Sequence, residues 1–203
     1  MPQLPSEELD RLKPALKRLR RQRRKAQKQL QVVLKSSRHL KLITALQGWL
    51  LTPRYTALGA EPLEQWLLEW QWPAIGTLLL HRGWRITNER SEKNSDQLHA
   101  LRKEIKSARY RLENLQPQAG AIGLDWIHSL KQGQELLGEL NDLAVLRHAI
   151  QAQSPKKLAK HCPVFHSLLE RQQRQSWEQW QSLAAELQDP RQRSSLVRGL
   201  LDA

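Results

Sequence analysis

The chain has 203 residues, which suits one medium domain or two small ones and can bury a real hydrophobic core. Its 33 Lys and Arg against 20 Asp and Glu leave a formal charge of +13, which points to a polyanion: nucleic acid, an inorganic phosphate polymer or an anionic surface. A single cysteine, Cys162, excludes an internal disulfide framework and a cysteine zinc site, and no apolar run reaches the roughly 18 residues of a membrane span or opens the chain like a signal peptide, so a cytoplasmic protein is expected.

Abundant Leu, Gln, Ala, Arg and Lys beside few strand formers predict an all-α fold, an antiparallel helical bundle with long helices. The first helix starts after Ser6, a capping residue, with Glu7, Glu8 and Asp10 close to its positive end. Leu9, Leu12, Leu16, Leu19, Ala26, Leu30 and Val33 follow a three-and-four spacing that Arg23 interrupts. Pro14 marks either a kink or a later start near Lys13. Lys13, Lys17, Arg20, Arg21, Arg24 and Lys28 form the adjoining basic stripe, and no acidic residue lies between Arg11 and Ala60. Such a block repels itself unless it is exposed or matched by a bound anion.

A break near Ser36 and Ser37 precedes a helix over 39–51, which Thr52 and Pro53 end. Residues 55–61 read as a loop. Pro62 opens a helix over 63–69 and Pro73 another over 74–81, with Trp66, Leu67, Leu68, Trp70 and Trp72 packing inward. A polar link over 83–95 follows, and Ser95 is placed to cap the next helix.

That helix, 98–115, is the most informative segment. At about 100° per residue, Leu98, Leu101, Ile105, Ala108 and Leu112 fall in one apolar arc. His99, Arg102, Lys103, Lys106 and Tyr110 fall in the opposite arc, with Arg109 at its edge. A ladder of this kind has little catalytic chemistry and is well suited to holding several phosphates, the arginines as forks and the lysines as point charges.

The next predicted helix covers 125–152, with Ile127, Leu130, Leu137, Leu140 and Ala144 inward. Gly133 and Gly138 cost helix propensity there and imply close helix contact. A basic loop over 154–163 leads to a last helix over 163–188, closed by Asp189 and Pro190. The domain is thus expected over 1–190 and a flexible tail over 191–203. Zinc-ligand spacing, a glycine-rich phosphate loop and a nucleophile elbow are all missing, so no catalytic residue, metal or cofactor is expected.

The run from His99 through Arg102, Lys103, Lys106 and Arg109 to Tyr110, followed by the motif LKQGQELLGELNDLAVL at 130–146, resembles the conserved-histidine α-helical domain, or CHAD, family. The resemblance extends over most of the chain. It implies a bundle of two related halves around a basic cavity or groove that binds inorganic polyphosphate without catalysis. Carried over by position, it implies that His99, Arg102, Lys103, Lys106, Arg109 and Tyr110 contact the polymer, with Lys131 from the second motif. Asn141 and Asp142 are implied as orienting residues. Arg18, Arg21 and Arg38 follow from the similarity of the basic first helix to the family's long central helix. The family's earlier copy of the histidine–arginine helix has no counterpart here, so an incomplete CHAD-like domain, reduced or N-terminally truncated, is expected. A homodimer would cover the apolar surface so exposed.

The leading expectation is therefore an inorganic polyphosphate-binding module in a basic groove lined by several helices. RNA or DNA binding through the same stripes is an alternative, and a structural protein docking an acidic partner is another. No membrane partner is expected.

Overall fold

The computed structural model describes residues 4–88, 92–114, 120–153 and 157–201, and side chains at 64, 68, 92, 200 and 201 are outside that description. Every regular element among the described residues is helical: α1 (Ser6–Leu34), α2 (Ser37–Leu51), α3 (Leu67–Leu79), α4 (Glu92–Asn114), α5 (Gly120–Gln151), α6 (Leu158–His161), α7 (Pro163–Gln188) and α8 (Pro190–Leu201), with short 3-10 turns at Leu58–Ala60, Leu63–Gln65 and Arg82–Arg85. The chain divides into two compact units. One comprises residues 1–62 and 149–166; the other comprises 63–148 and 167–203.

The second unit holds the main core. Leu98, Leu101, Ile105, Ala108 and Leu112, the predicted apolar arc of α4, are all buried, and they meet Leu130, Leu137 and Leu140 of α5 with Trp177, Trp180, Leu183 and Leu187 of α7. The two predicted close-contact glycines are explained by their neighbours. A Cβ on Gly133 would lie 3.4 Å from the Trp180 ring, and one on Gly138 would lie 3.2 Å from Arg102 Nε. Trp84 stacks on Trp180 with ring centroids 5.6 Å apart, and its indole N–H donates to the Leu78 carbonyl.

Three expectations are corrected in this unit. In place of helices over 63–69 and 74–81 the chain has a 3-10 turn at Leu63–Gln65 and a single helix, α3, running through Pro73. Leu67, Gln71, Ala74, Ile75 and Leu78 are buried on both sides of the proline, so packing holds the helix together despite one missing N–H. Trp66, Trp70 and Trp72, expected inside, are exposed: Trp66 precedes the first turn of α3, and Trp70 and Trp72 flank the buried stripe on its two sides; the side chain of Leu68 is outside the description. Ser95 does not cap α4, which already begins at Glu92. The predicted stop at Gln116 and Pro117 lies outside the described residues.

Residues 191–201, expected as a tail, form most of α8. Leu196 enters the core at 1 % exposure. Arg193 donates to the carbonyls of Leu187 and Leu79 and lies over the Trp84 ring, and burial pulls its pKa below the usual arginine range.

The first unit has a small core of Leu12, Ala15, Ile150, Leu158 and Cys162. Its strongest polar fixture is Glu8, 4 % exposed, whose two carboxylate oxygens accept from the backbone N–H groups of Val164 and Phe165, each at 2.8 Å. An anion thus satisfies the first turn of α7, where unpaired donors and the helix dipole both favour negative charge. The break at Ser36 is as predicted: its hydroxyl accepts from His39 N–H and starts α2. Pro5, not Ser6, precedes the first turn of α1, which runs unbroken through Pro14. From Arg20 to Lys35 every side chain is exposed, and α2 has no buried residue. The basic loop predicted over 154–163 contains α6, and residues 154–156 lie outside the description.

Candidate anion-binding surfaces

In the first unit the basic stripe of α1 borders an open trough. Lys13, Lys17, Arg20, Arg21 and Arg24 line it together with Leu16, over a volume of about 860 Å³, with no acid among the lining residues. Arg21 is the one implied site residue that falls there. Arg18 is turned to Gln153, donating to its side-chain carbonyl at 3.0 Å. Arg38 is exposed on α2 and is not among the residues lining the trough. Arg23, which interrupts the apolar spacing, is exposed like its neighbours.

In the second unit α4 carries the ladder. Its buried apolar face orients the opposite face outward, leaving His99, Lys103 and Lys106 exposed. Arg102 is partly buried: its Nε donates to the Gln134 carbonyl at 3.2 Å, in the space left by Gly138. The guanidinium is thereby docked on α5, in an open depression that also has Glu135, Glu139 and Asp142 in its wall. Arg109 is held more firmly. It pairs with Glu113 at 3.0 Å, its side chain is 12 % exposed, and its guanidinium lies 4.5 Å from the Tyr110 ring centroid. Lys106 Nζ lies 5.4 Å from the same centroid. Tyr110 therefore serves as a platform under two cations, an attraction that holds both charges near one place.

His99 lines a narrow crevice with Ser95, Asn141 and Gln173, so the histidine and the asparagine of the two sequence motifs share one surface. Asp142 is exposed and belongs to the Arg102 depression instead. Lys131 is exposed and lies seven residues before Gly138, on the same stripe of α5 that receives Arg102. Within this unit the structure thus gathers His99, Arg102, Asn141, Asp142 and the Tyr110 cluster along α4 and α5.

Several features went unread in the sequence. The trough-lining Lys13, Lys17, Arg20 and Arg24 were visible as a stripe, yet only Arg21 among the residues there was singled out for binding. Arg111 donates to the Trp70 carbonyl at 2.7 Å and lies over the Trp70 ring, a contact 41 residues apart that no local pattern announces. The acidic surroundings of Arg102 also depend on helix pairing. Among the described residues no group of three or more His, Cys, Asp or Glu side chains is placed to hold a metal, and no helix is long and apolar enough to cross a membrane.

Comparison with curated proteins and with solved structures finds no match. The family model described as the CHAD domain matches residues 2–151. Domains of this kind are non-catalytic binding modules, and membership supports a general role in binding polyanions such as polyphosphate. With its all-helical bundle, its outward basic ladder and a match over most of its length, the chain belongs to the CHAD domain family.

Proposed function

We propose that the protein binds inorganic polyphosphate through the cations of α1 and α4. The observation that carries this reading is the trough of α1: five cationic side chains and no acid line it. A polymer of repeating charge with no sequence suits such a surface better than a folded partner with mixed signs. Arg21 and its trough neighbours supply contacts there. On α4, Lys103 and Lys106 offer point charges about one helical turn apart, and His99 adds a donor. Arg102 offers the guanidinium N–H groups that its bond to Gln134 leaves over, and Arg109 and Tyr110 set the position of Lys106. Lys131 joins from α5, Arg18 and Arg38 add to the field of the first unit, and Asn141 and Asp142 orient their neighbours.

Binding of labelled long-chain polyphosphate at physiological salt, with RNA as competitor, tests this reading. Polyphosphate is expected to win, with affinity falling steeply as salt rises. Changing Arg102 and Lys106 together to Ala is expected to weaken binding without loss of helicity, and a triple Arg20→Gln, Arg21→Gln, Arg24→Gln variant is expected to weaken it further. Unchanged affinity in both variants would remove the assignment. Nucleic acid is the second reading, and a specific observation favours it: Trp66, Trp70 and Trp72 are exposed, with Arg111 over the Trp70 ring, and exposed aromatics stack on bases. Preference for RNA, lost in Trp70→Ala and Trp72→Ala, would establish that reading instead.

A further inference from the structure

α2 of the first unit and the α5–α7 face of the second have complementary chemistry. On α2, Leu42, Ile43, Leu46, Trp49 and Leu50 fall within one third of the helix circumference, and all are exposed. Lys35, Arg38 and Lys41 flank this stripe, and the whole stretch contains no acid. On the second unit, an open groove of about 550 Å³ runs between α5 and α7. Its lining includes Leu136 and Leu183 together with Glu135, Glu139 and Glu186, and no cation. The neighbouring depression shares Glu135 and Glu139 and adds Asp142, beside the single cation Arg102. In a chain with a net charge of +13, this is a concentrated acidic surface with a leucine floor.

We propose that the α2 face of one copy docks in the α5–α7 groove of a second copy. Charge complementarity selects this occupant. A polyanion would satisfy Lys35, Arg38 and Lys41 but leave the leucines and Trp49 in water. Two α2 faces packed on each other would bury the leucines but bring like charges together. The groove offers carboxylates and aliphatic carbon side by side with no cation in its lining, and an amphipathic helix laid in such a groove is a common recognition geometry. The contact joins different surfaces, so it is heterologous. When each copy supplies its helix to the other's groove, the pair closes with two-fold symmetry instead of growing into a filament.

The test measures mass by light scattering and sedimentation on protein freed of bound polyanion at high salt and returned to low salt. The wild type is expected to dimerise. Leu46→Asp on α2 and the triple Glu135→Lys, Glu139→Lys, Glu186→Lys in the groove are each expected to weaken self-association at least tenfold. An equimolar mixture of these two variants is expected to form a one-to-one complex, because one copy keeps an intact helix face and the other an intact groove. Circular dichroism checks that each variant is helical. Should the groove triple not fold, reversing Lys35, Arg38 and Lys41 to Glu replaces it, and the same loss of self-association is expected. A wild type that stays monomeric at every concentration would overturn the proposal. So would a groove variant that dimerises like the wild type, or a mixture that fails to pair.

Discussion

α1 and α4 are both long amphipathic helices with a basic face, and their surroundings make them different objects. The apolar arc of α4 is buried throughout, so its cations point one way and their neighbours are fixed: Arg102 on Gln134, Arg109 on Glu113 and Tyr110. The apolar spacing of α1 is covered only near Leu12 and Ala15, and beyond Leu19 the helix is exposed on all sides. Amphipathic sequence therefore states which face wants cover, and packing alone decides whether it receives any. The buried helix buys ordered cations at the cost of engaging two of its arginines; the uncovered one engages Arg11, Lys13 and Arg18 near its covered start and leaves Arg20 to Lys35 exposed.

The sharpest way to break this comparison is to place a charge on each apolar face. Ile105→Asp is expected to lose about 4 kcal/mol or more, from an unpaired carboxylate in a closed core plus the lost isoleucine packing, seen as collapse of the thermal transition. Leu30→Asp, the same change on α1, is expected to stay within about 0.5 kcal/mol of the wild type. Equal losses would mean that the two helices are equally covered. Next in size is Glu8→Ala. It removes both acceptors from the first turn of α7 and is expected to cost about 1–2 kcal/mol, measured by urea denaturation. Gly138→Ala places a methyl group against the Arg102 guanidinium. We expect a small stability change and a measurable loss of polyphosphate affinity, which separates the docked arginine from the free lysines. The smallest effect concerns Cys162, whose thiol pKa is raised by burial first and by Glu8 second. The folded state keeps this proton where the unfolded chain loses it. The stabilisation is thus complete below the ordinary thiol range and declines as pH rises through and above it. Slow labelling of native protein by a thiol reagent at neutral pH, fast after unfolding, checks the burial.

What could be read beforehand followed from periodicity and from local breakers. The α4 arc was legible because five apolar residues fall on one stripe, and the α7 limits were legible because Pro163 and Pro190 bracket it. Gly133 and Gly138 announced close approach, although the residues approaching, Trp180 and Arg102, come from other helices. Failures arose where packing at a distance overrules local preference. Pro73 looked like a boundary until Leu67 and Ile75 on either side of it proved buried. The tryptophans of α3 looked like core because size and apolarity say nothing about direction. Residues 191–201 are polar enough to suggest a tail, but Leu196 finds a core pocket and Arg193 finds two carbonyls. For the ladder, sign and side were legible, and the Arg109–Glu113 pair lies at i,i+4 within one helix, whereas the partner of Arg102 depended on a neighbouring helix.

The carboxylate of Glu8, holding the first turn of α7, ties together parts of the chain separated by more than 150 residues. Closing so distant a clasp is slow compared with forming either helix, so the start of α7 frays in any folding species whose first helix has not yet arrived. Amide exchange at Val164 and Phe165 is therefore a clock for that arrival, readable without any ligand.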